Sequence, residues 1–191
     1  MLLRTATAAT LVALGPLAAV SSPASAGDVW YCHGQTATIV DITGADVTGT
    51  DGDDVIVANG TVHAGEGNDT VCAPDMYGEG GDDLLQLVGA GSADGGDGDD
   101  LLLGSNHDDA LDGGAGADEI RARGGSDEAF GRGGQDLVYG AAGVDILRAG
   151  GGDDVLFGGD GDDLVDGGKG EDRGQGGAGH DKFVNMEHGR S

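Results

Sequence analysis

Large apolar residues recur at intervals of nine along most of this chain, and glycine and aspartate fill the positions between them. Residues 95–184 divide into ten nonapeptides without a gap, and residues 95–103 read GGDGDDLLL. Two earlier units, beginning at Tyr77 and Gln86, fit the same frame, so residues 77–184 form twelve units. Glycine occupies the fourth position and aspartate the sixth in eleven of the twelve. A period this strict predicts a solenoid of stacked repeats.

The eighth position of the unit predicts the core. We expect positions one to six to form a turn and positions seven to nine to form a short strand, whose middle residue points inward. Glycine permits the crowded backbone that such a turn requires. The eighth position is a sizeable apolar residue in nine units, namely Leu84, Leu102, Leu111, Ile120, Val138, Leu147, Leu156, Val165 and Phe183.

The seventh and ninth positions of alternate units then lie on one outer face, which is more apolar than the opposite one. It is predicted to carry Leu85, Leu103, Tyr139 and Phe157. An exposed apolar face is typical of a docking surface for a partner or a second copy. We favour the alternatives, in which residues 27–48 cover the face or β propensity alone selects its residues.

Composition narrows the class of protein. The 191 residues include 42 glycines, and 35 acidic residues against 9 basic ones give a formal net charge of −26. So much glycine and so few large side chains argue against an ordinary globular core. A polyanion also repels phosphate, which excludes nucleic acid as a partner. The chain is therefore either a disordered polyanion or a repeat protein whose charge a cation neutralises.

The repeat G-G-x-G-x-D-x-U-x resembles the RTX, or hemolysin-type calcium-binding, nonapeptide repeat. The resemblance is strong over residues 77–184 and looser over two upstream units at 49–57 and 64–72. It implies an all-β fold, a parallel β-roll in which two units make one 18-residue coil. It also implies that calcium ions, up to about ten, lie between turns 18 residues apart. Because the apolar core is thin for the length of the repeats and like charges crowd them, we expect the chain to be largely unfolded without calcium and to fold when calcium binds.

Carboxylate and main-chain carbonyl oxygens are the hard ligands that calcium prefers, and one turn cannot supply enough of them. By the resemblance, the sixth-position carboxylates are the calcium ligands. Gly91 lacks this carboxylate, and His107 replaces the turn glycine of its unit, so the sites beside them are in question. The predicted ligands are Asp54, Asp69, Asp82, Asp100, Asp109, Asp118, Asp127, Asp136, Asp145, Asp154, Asp163, Asp172 and Asp181.

The N-terminal residues of the chain predict export. Residues 1–26 carry one arginine, an apolar stretch and a small-residue Ala-Ser-Ala end, which is the pattern of a cleaved signal peptide, and no later segment is apolar enough to span a membrane. The mature chain is then a secreted, extracellular protein with an N-terminal segment at 27–76, the β-roll at 77–184 and a short tail at 185–191. In an oxidising compartment Cys32 and Cys72 are expected to form a disulfide, although two thiols could also ligate a metal.

No catalytic motif accompanies the repeats, because neither HExxH nor GxSxG occurs. We expect no enzyme. Three hypotheses remain open: a secreted calcium-binding β-roll with a structural, adhesive or cell-surface role, an extracellular enzyme acting on acidic polysaccharide, and a disordered polyanion that buffers calcium. The strict repeat favours the first.

Overall fold

The computed structural model describes residues 31–190, with side chains to residue 187, and the predicted signal peptide at 1–26 lies outside the described residues. This part of the chain is built of strands and turns, and it contains no helix that could cross a membrane. The strands are β1 (Tyr31–Cys32), β2 (Gln35–Thr36), β3 (Ile39–Asp41), β4 (Val47–Thr48), β5 (Val55–Ala58), β6 (Thr61–Glu66), β7 (Thr70–Gly80), β8 (Leu84–Asp97), β9 (Leu101–Leu103), β10 (Ala110–Ala115), β11 (Glu119–Gly124), β12 (Glu128–Gly133), β13 (Leu137–Ala142), β14 (Ile146–Gly151), β15 (Val155–Asp160), β16 (Leu164–Lys169), β17 (Arg173–Ala178), β18 (Lys182–Val184) and β19 (His188–Arg190).

Two parallel β-sheets form the solenoid, because the chain returns to the same sheet once per coil. Sheet 1 stacks β3, β5, the first part of β7, the first part of β8, β9, β11, β13, β15, β17 and β19. Sheet 2 stacks β4, β6, the second part of β7, the second part of β8, β10, β12, β14, β16 and β18. The predicted all-β parallel roll is confirmed.

From β9 to β18 the coils are regular, and each paired strand residue lies opposite the one 18 positions later, as Ile120 does opposite Val138; the last pair, β17 with β19, is offset by 15 residues. Upstream the coils are shorter: Leu84 pairs with Leu101, and Thr70 with Leu84. The same two sheets continue to β3, so the solenoid begins well before residue 77. At its other end β19 adds one more strand to sheet 1.

The core is a row of single side chains between the two sheets. The predicted members are buried or, for Phe183, partly buried, with one exception: Leu84 is half-buried on the outer surface and Leu85 is fully buried in its place. The nonapeptide frame is displaced by one residue there, so the unit runs over residues 78–86. The buried row is Ile56, Val62, Val71, Met76, Leu85, Ala93, Leu102, Leu111, Ile120, Ala129, Val138, Leu147, Leu156 and Val165.

The predicted apolar outer face is only partly present. Leu85 belongs to the core, and Leu103 is only 5% exposed. Tyr139 and Phe157 do lie side by side on the outside of sheet 1, with their rings stacked and their centroids 5.0 Å apart. The face is therefore much smaller than the sequence predicted.

The predicted disulfide is present. Cys32 and Cys72 are bonded, with their Cα atoms 5.8 Å apart, and the described chain holds no free cysteine. The bond fastens the antiparallel β1–β2 hairpin to sheet 1, where β1 packs on β5 and β7. The hairpin thus covers only the upstream end of that sheet, far in sequence from Tyr139.

Candidate metal centre

The turns that lead from sheet 2 into sheet 1 stack on one another, and their sixth-position carboxylates form a continuous column. The amide of Asp100 donates a hydrogen bond to Oδ1 of Asp118 at 2.9 Å, and the amide of Asp118 donates to Oδ1 of Asp136 at 3.0 Å. We call this the long column. It runs through Asp54, Asp69, Asp83, Asp100, Asp118, Asp136, Asp154 and Asp172, and it ends at Oε2 of Glu187.

The turns that lead from sheet 1 into sheet 2 carry a second, short column built on the same rule. Its first carboxylate, Asp109, accepts from the amide of Gly91, which occupies the sixth position but has no side chain. From there the column continues by the same bond through Asp127, Asp145, Asp163 and Asp181.

The second oxygen of most of these carboxylates has no partner. Asp100, for example, is 2% exposed, and its Oδ2 is buried without a hydrogen bond. A buried carboxylate oxygen without a donor or a cation is strongly unfavourable. Within the described residues the orphaned Oδ2 atoms are those of Asp69, Asp83, Asp100, Asp118, Asp127, Asp136, Asp145, Asp154, Asp163, Asp172 and Asp181.

Eight of the eleven orphaned oxygens face a small cradle that a glycine at the first position of the turn keeps open; the turns of Asp69, Asp127 and Asp154 begin with alanine instead. A Cβ on Gly95 would collide both with Oδ2 of Asp100 in its own turn and with the carbonyl oxygen of Gly113 in the next turn. The same pair of atoms, one carboxylate oxygen and one carbonyl oxygen from consecutive turns, surrounds Gly140, where they belong to Asp145 and Gly158. Two oxygens from neighbouring turns therefore converge on one space.

Backbone conformation supports this cradle. The second residue of a typical turn has a positive φ, as at Gly96 (102°) and Gly150 (111°), and even Arg132 (76°) and Ala141 (81°) adopt it. A positive φ is uncommon for residues with a side chain and costs free energy. The structure holds it at the same place in turn after turn, so it belongs to the geometry of the site.

Burial changes the acidity of the columns. Burial, with a smaller contribution from neighbouring carboxylates, raises the pKa of Asp83 and Asp136 to about 7, although the amide hydrogen bond to each lowers it. The pKa of Asp100 and Asp127 rises to about 6 for the same reasons. A carboxylate whose pKa rises by desolvation is one that lacks a positive partner.

No group of three or more His, Cys, Asp or Glu side chains converges on one point in the part of the chain that is described. A metal held here would therefore take main-chain carbonyls in addition to carboxylates. That donor set consists of oxygens only, which suits calcium and does not suit zinc. The residues present fit calcium.

The structure places Asp83, and not the predicted Asp82, in the long column. Asp82 is exposed, and its Oδ1 accepts the amide of Asp99 in the next turn at 3.0 Å. The cause is the one-residue displacement of the frame in this unit. The other predicted aspartates lie in the two columns, where Asp181 is the last of the short one and is only half-buried.

Two further sets of residues were missed by the sequence reasoning. Glu187 closes the long column from what was assigned to the tail, and its longer side chain gave no signal in a search for aspartate at the sixth position. The fifth-position side chains form an exposed ladder, in which each accepts the amide of the corresponding residue one turn later. Its acceptors are Asp53, Asn68, Asp82, Asp99, Asp108, Asp153 and Asp162.

A family model described as the RTX calcium-binding nonapeptide repeat matches residues 48–73, 89–120, 112–147, 139–173 and 148–183, which together make up more than half of the chain. The unmatched residues 74–88 coincide with the stretch in which the frame is displaced. No curated protein matches the chain significantly.

Proposed function

Because the chain belongs to the RTX calcium-binding nonapeptide repeat family, we propose that it is a secreted calcium-binding protein whose fold depends on the ions it holds. The observation that carries this proposal is the series of buried carboxylates with an orphaned Oδ2, several of which converge with a main-chain carbonyl of the next turn, as Asp100 does with Gly113 and Asp163 with Gly176. A bound calcium ion would supply the positive charge that these oxygens lack. Oδ1 of the same carboxylates is already used to hold the stack together.

The ions are expected between consecutive turns, beside each orphaned Oδ2 that has a following turn. The long column offers Asp69, Asp83, Asp100, Asp118, Asp136, Asp154 and Asp172, and the short column offers Asp127, Asp145 and Asp163. Asp181 has no further sixth-position partner. The proposed division is seven and three, a total of ten, instead of the five on each side that the nonapeptide count alone implies.

Folding is proposed to be coupled to calcium binding. The net charge is −26, and without a cation the columns bring like charges close together in a buried place. The raised pKa values of Asp83 and Asp136 reflect the same free-energy cost of holding charged carboxylates in a buried place. Ions that bind only the folded chain stabilise it by mass action, so we expect the calcium-free chain to be largely unfolded at neutral pH.

We propose that the protein acts outside the cell. The signal-peptide pattern at 1–26 and the disulfide both suit an oxidising extracellular compartment. A chain that is unfolded at low calcium and folds at high calcium also suits transport across a membrane. The role proposed is structural, adhesive or at a cell surface, and no partner besides calcium is assigned.

The proposal is tested by calcium titration of the chain from residue 27, followed by far-UV circular dichroism and by calorimetry, with magnesium in parallel. We expect a cooperative gain of β structure with calcium, a stoichiometry near ten, and little response to magnesium, which demands a stricter octahedral geometry. Equal β structure in excess chelator and in calcium, with no heat of binding, would contradict it.

A matched pair of variants makes the test specific to the columns. Asp100→Asn removes a carboxylate with an orphaned oxygen, and it should lower the stoichiometry by one. Asp99→Asn changes the exposed neighbour. Oδ1 of Asp99 accepts a hydrogen bond from the backbone amide of Ala117, and the side-chain oxygen of asparagine can accept the same bond. Asp99→Asn should leave the stoichiometry unchanged. If both variants bind as many ions as the wild type, the column is not the site.

A further inference from the structure

Two of the six-residue turns that end in aspartate are built differently from the others. In turns 49–54 and 104–109 neither the second nor the fourth residue has a positive φ, whereas both positions have one in every other turn of this kind in the described chain. The fourth residues are Gly52 and His107, so the absence of positive φ is not simply an absence of glycine. What the two turns share is a hydroxyl at the second position, Thr50 in one and Ser105 in the other.

The hydroxyl residue turns the backbone towards the carboxylate. The amide of Thr50 donates to Oδ2 of Asp54 at 2.8 Å, and its Oγ1 donates to the same oxygen at 2.9 Å. The amide of Ser105 likewise donates to Oδ2 of Asp109 at 2.6 Å. These are the two column aspartates whose second oxygen is not orphaned.

The hydroxyl oxygen also accepts a hydrogen bond from the backbone amide two residues later in the turn. Oγ of Ser105 accepts the amide of His107 at 3.1 Å, and Oγ1 of Thr50 lies 3.4 Å from the amide of Gly52, which donates to it. This is the Ser/Thr turn, in which a hydroxyl replaces a main-chain acceptor two residues away. The carboxylate and the hydroxyl together satisfy the turn without a ligand.

The cradle is correspondingly altered in both turns. A Cβ on Gly104 would meet only atoms of Ala122 at closest range and not the carboxylate of its own turn. At Gly49 the own-turn oxygen of Asp54 is 3.2 Å away, farther than in the turns that keep an orphaned oxygen. In addition, the guanidinium of Arg123 donates to the carbonyl oxygen of Gly104 at 2.9 Å, which places a cation of the protein beside that turn.

We propose that a hydroxyl at the second position of a turn closes it against calcium, so that turns 49–54 and 104–109 are calcium-free members of the two columns. This inference rests on the proposed function, and it adds the residue that decides which turns bind. The two closed turns are also the first carboxylate-bearing turns of the long and the short column. Each column therefore starts on a turn that satisfies its own carboxylate and needs no ion.

The test compares substitutions that differ by one oxygen. Thr50→Ala removes the hydroxyl. Alanine can adopt the positive φ that the second residue has in the turns with an orphaned oxygen, as Ala141 does. Thr50→Ser keeps the hydroxyl. Counting bound ions by native mass spectrometry in saturating calcium, we expect Thr50→Ala to bind one ion more than the wild type and Thr50→Ser to bind the same number.

The reverse substitution introduces a hydroxyl into a turn whose aspartate has an orphaned Oδ2. Ala141→Ser introduces a hydroxyl at the second position of turn 140–145 and should remove one ion, whereas Ala141→Gly should remove none. Both variants change a site that already holds a side chain, so neither introduces a new collision of Cβ atoms. Circular dichroism in calcium confirms that each variant is folded before its ions are counted.

The outcomes separate this inference from the function on which it rests. A wild-type chain that binds no calcium overturns the proposed function. A wild-type chain that binds calcium, together with equal ion counts for Thr50→Ala and Thr50→Ser and for Ala141→Ser and Ala141→Gly, overturns the role of the hydroxyl and leaves the function intact.

Discussion

The two columns of aspartates follow the same bonding rule and differ in length. The long column accompanies sheet 1 from Asp54 to Glu187, whereas the short column begins only at Asp109. The upstream coils therefore have carboxylates along one side only, and the downstream coils have them along both sides. The number of proposed calcium sites consequently changes along the solenoid, although the two sheets themselves continue.

The difference arises from the links between the sheets. On the long-column side every link from residue 49 to residue 172 is a six-residue turn that ends in aspartate, and only the last link, between β18 and β19, is shorter and ends in Glu187. On the other side the upstream links are too short to form such a turn: β7 passes from sheet 1 to sheet 2 at Pro74, between Ala73 and Asp75. The next link ends at Gly91, which offers an amide but no carboxylate. Link length, not the sheet, decides where a site can form.

The largest effect is expected from the disulfide, which anchors the upstream coils. Replacing Cys32 and Cys72 by serine removes a cross-link that contributes about 4 kcal/mol on the chain-entropy estimate. We expect hydrogen exchange to accelerate in residues 31–103, where one column acts alone, and to change little downstream, while the ion count stays the same. Uniform acceleration along the whole chain would show that the two regions do not differ in this way.

Two substitutions test whether Asp83, and not Asp82, belongs to the long column. Asp83→Asn should lose one ion and about 2.7 kcal/mol of unfolding free energy when free calcium is a hundred times the dissociation constant. Asp82→Asn should change neither by a measurable amount, because its exposed side chain only accepts an amide hydrogen bond that asparagine can also accept. Calorimetric titration and denaturant unfolding in calcium give both numbers. If Asp82→Asn instead lost the ion and Asp83→Asn did not, Asp82 would be the column residue.

Protonation of the buried carboxylates should stabilise the calcium-free fold in part, and the pKa values show in which direction its stability changes with pH. An unperturbed aspartate has a pKa near 3.9, and burial raises the pKa of Asp83 and Asp136 to about 7 and that of Asp127 to about 6. The folded chain therefore binds protons that the unfolded chain releases, so its stability without calcium rises as pH falls from 7 towards 4.

In excess chelator we therefore expect more β structure by circular dichroism at pH 5 than at pH 8. Calcium affinity should fall over the same range, since protons compete for the same oxygens. A calcium-free chain that is less structured at pH 5 than at pH 8 would contradict the sign.

The smallest effect is expected outside both columns. Tyr139 and Phe157 stack on the outer surface of sheet 1, and an aromatic pair contributes about 0.5–1.5 kcal/mol beyond its buried area. Replacing both by serine should cost a correspondingly small part of the unfolding free energy and leave the ion count unchanged. Analytical ultracentrifugation of the same variant tests the docking surface suggested by the sequence. Loss of a dimer present in the wild type would support that surface, and an unchanged monomer would remove it.

The periodic part of the molecule could be predicted from the sequence because its physical signal is local. Glycine, aspartate and one apolar residue at fixed offsets define the turn, its carboxylate and the core strand, so the sequence places Asp118 in a turn and Ile120 in the core, where the structure has them. It does not place Asp83, because the extra residue before it displaces the frame and an Asp-Asp pair fits either frame. Pairing with the neighbouring coils, which is not a local property, decides between them.

The closed turns and the end of the column depend on non-local or conformational facts. Aspartate at the sixth position looks the same in turns 49–54 and 95–100. A satisfied carboxylate differs from an orphaned one by the conformation at the second residue, Thr50 or Gly96, which the calcium-binding motif does not specify. Glu187 joins the column through a side chain longer than the motif describes. Repeat sequence therefore predicts where carboxylates lie better than it predicts which of them need a cation.

The central claim, that the columns hold calcium beside their orphaned oxygens, is tested most directly by anomalous diffraction from crystals of the protein grown in calcium. We expect anomalous density beside Asp69, Asp83, Asp100, Asp118, Asp136, Asp154 and Asp172 along the long column, beside Asp127, Asp145 and Asp163 along the short one, and none beside Asp54 or Asp109. Well-ordered crystals without anomalous density along either column would contradict the claim.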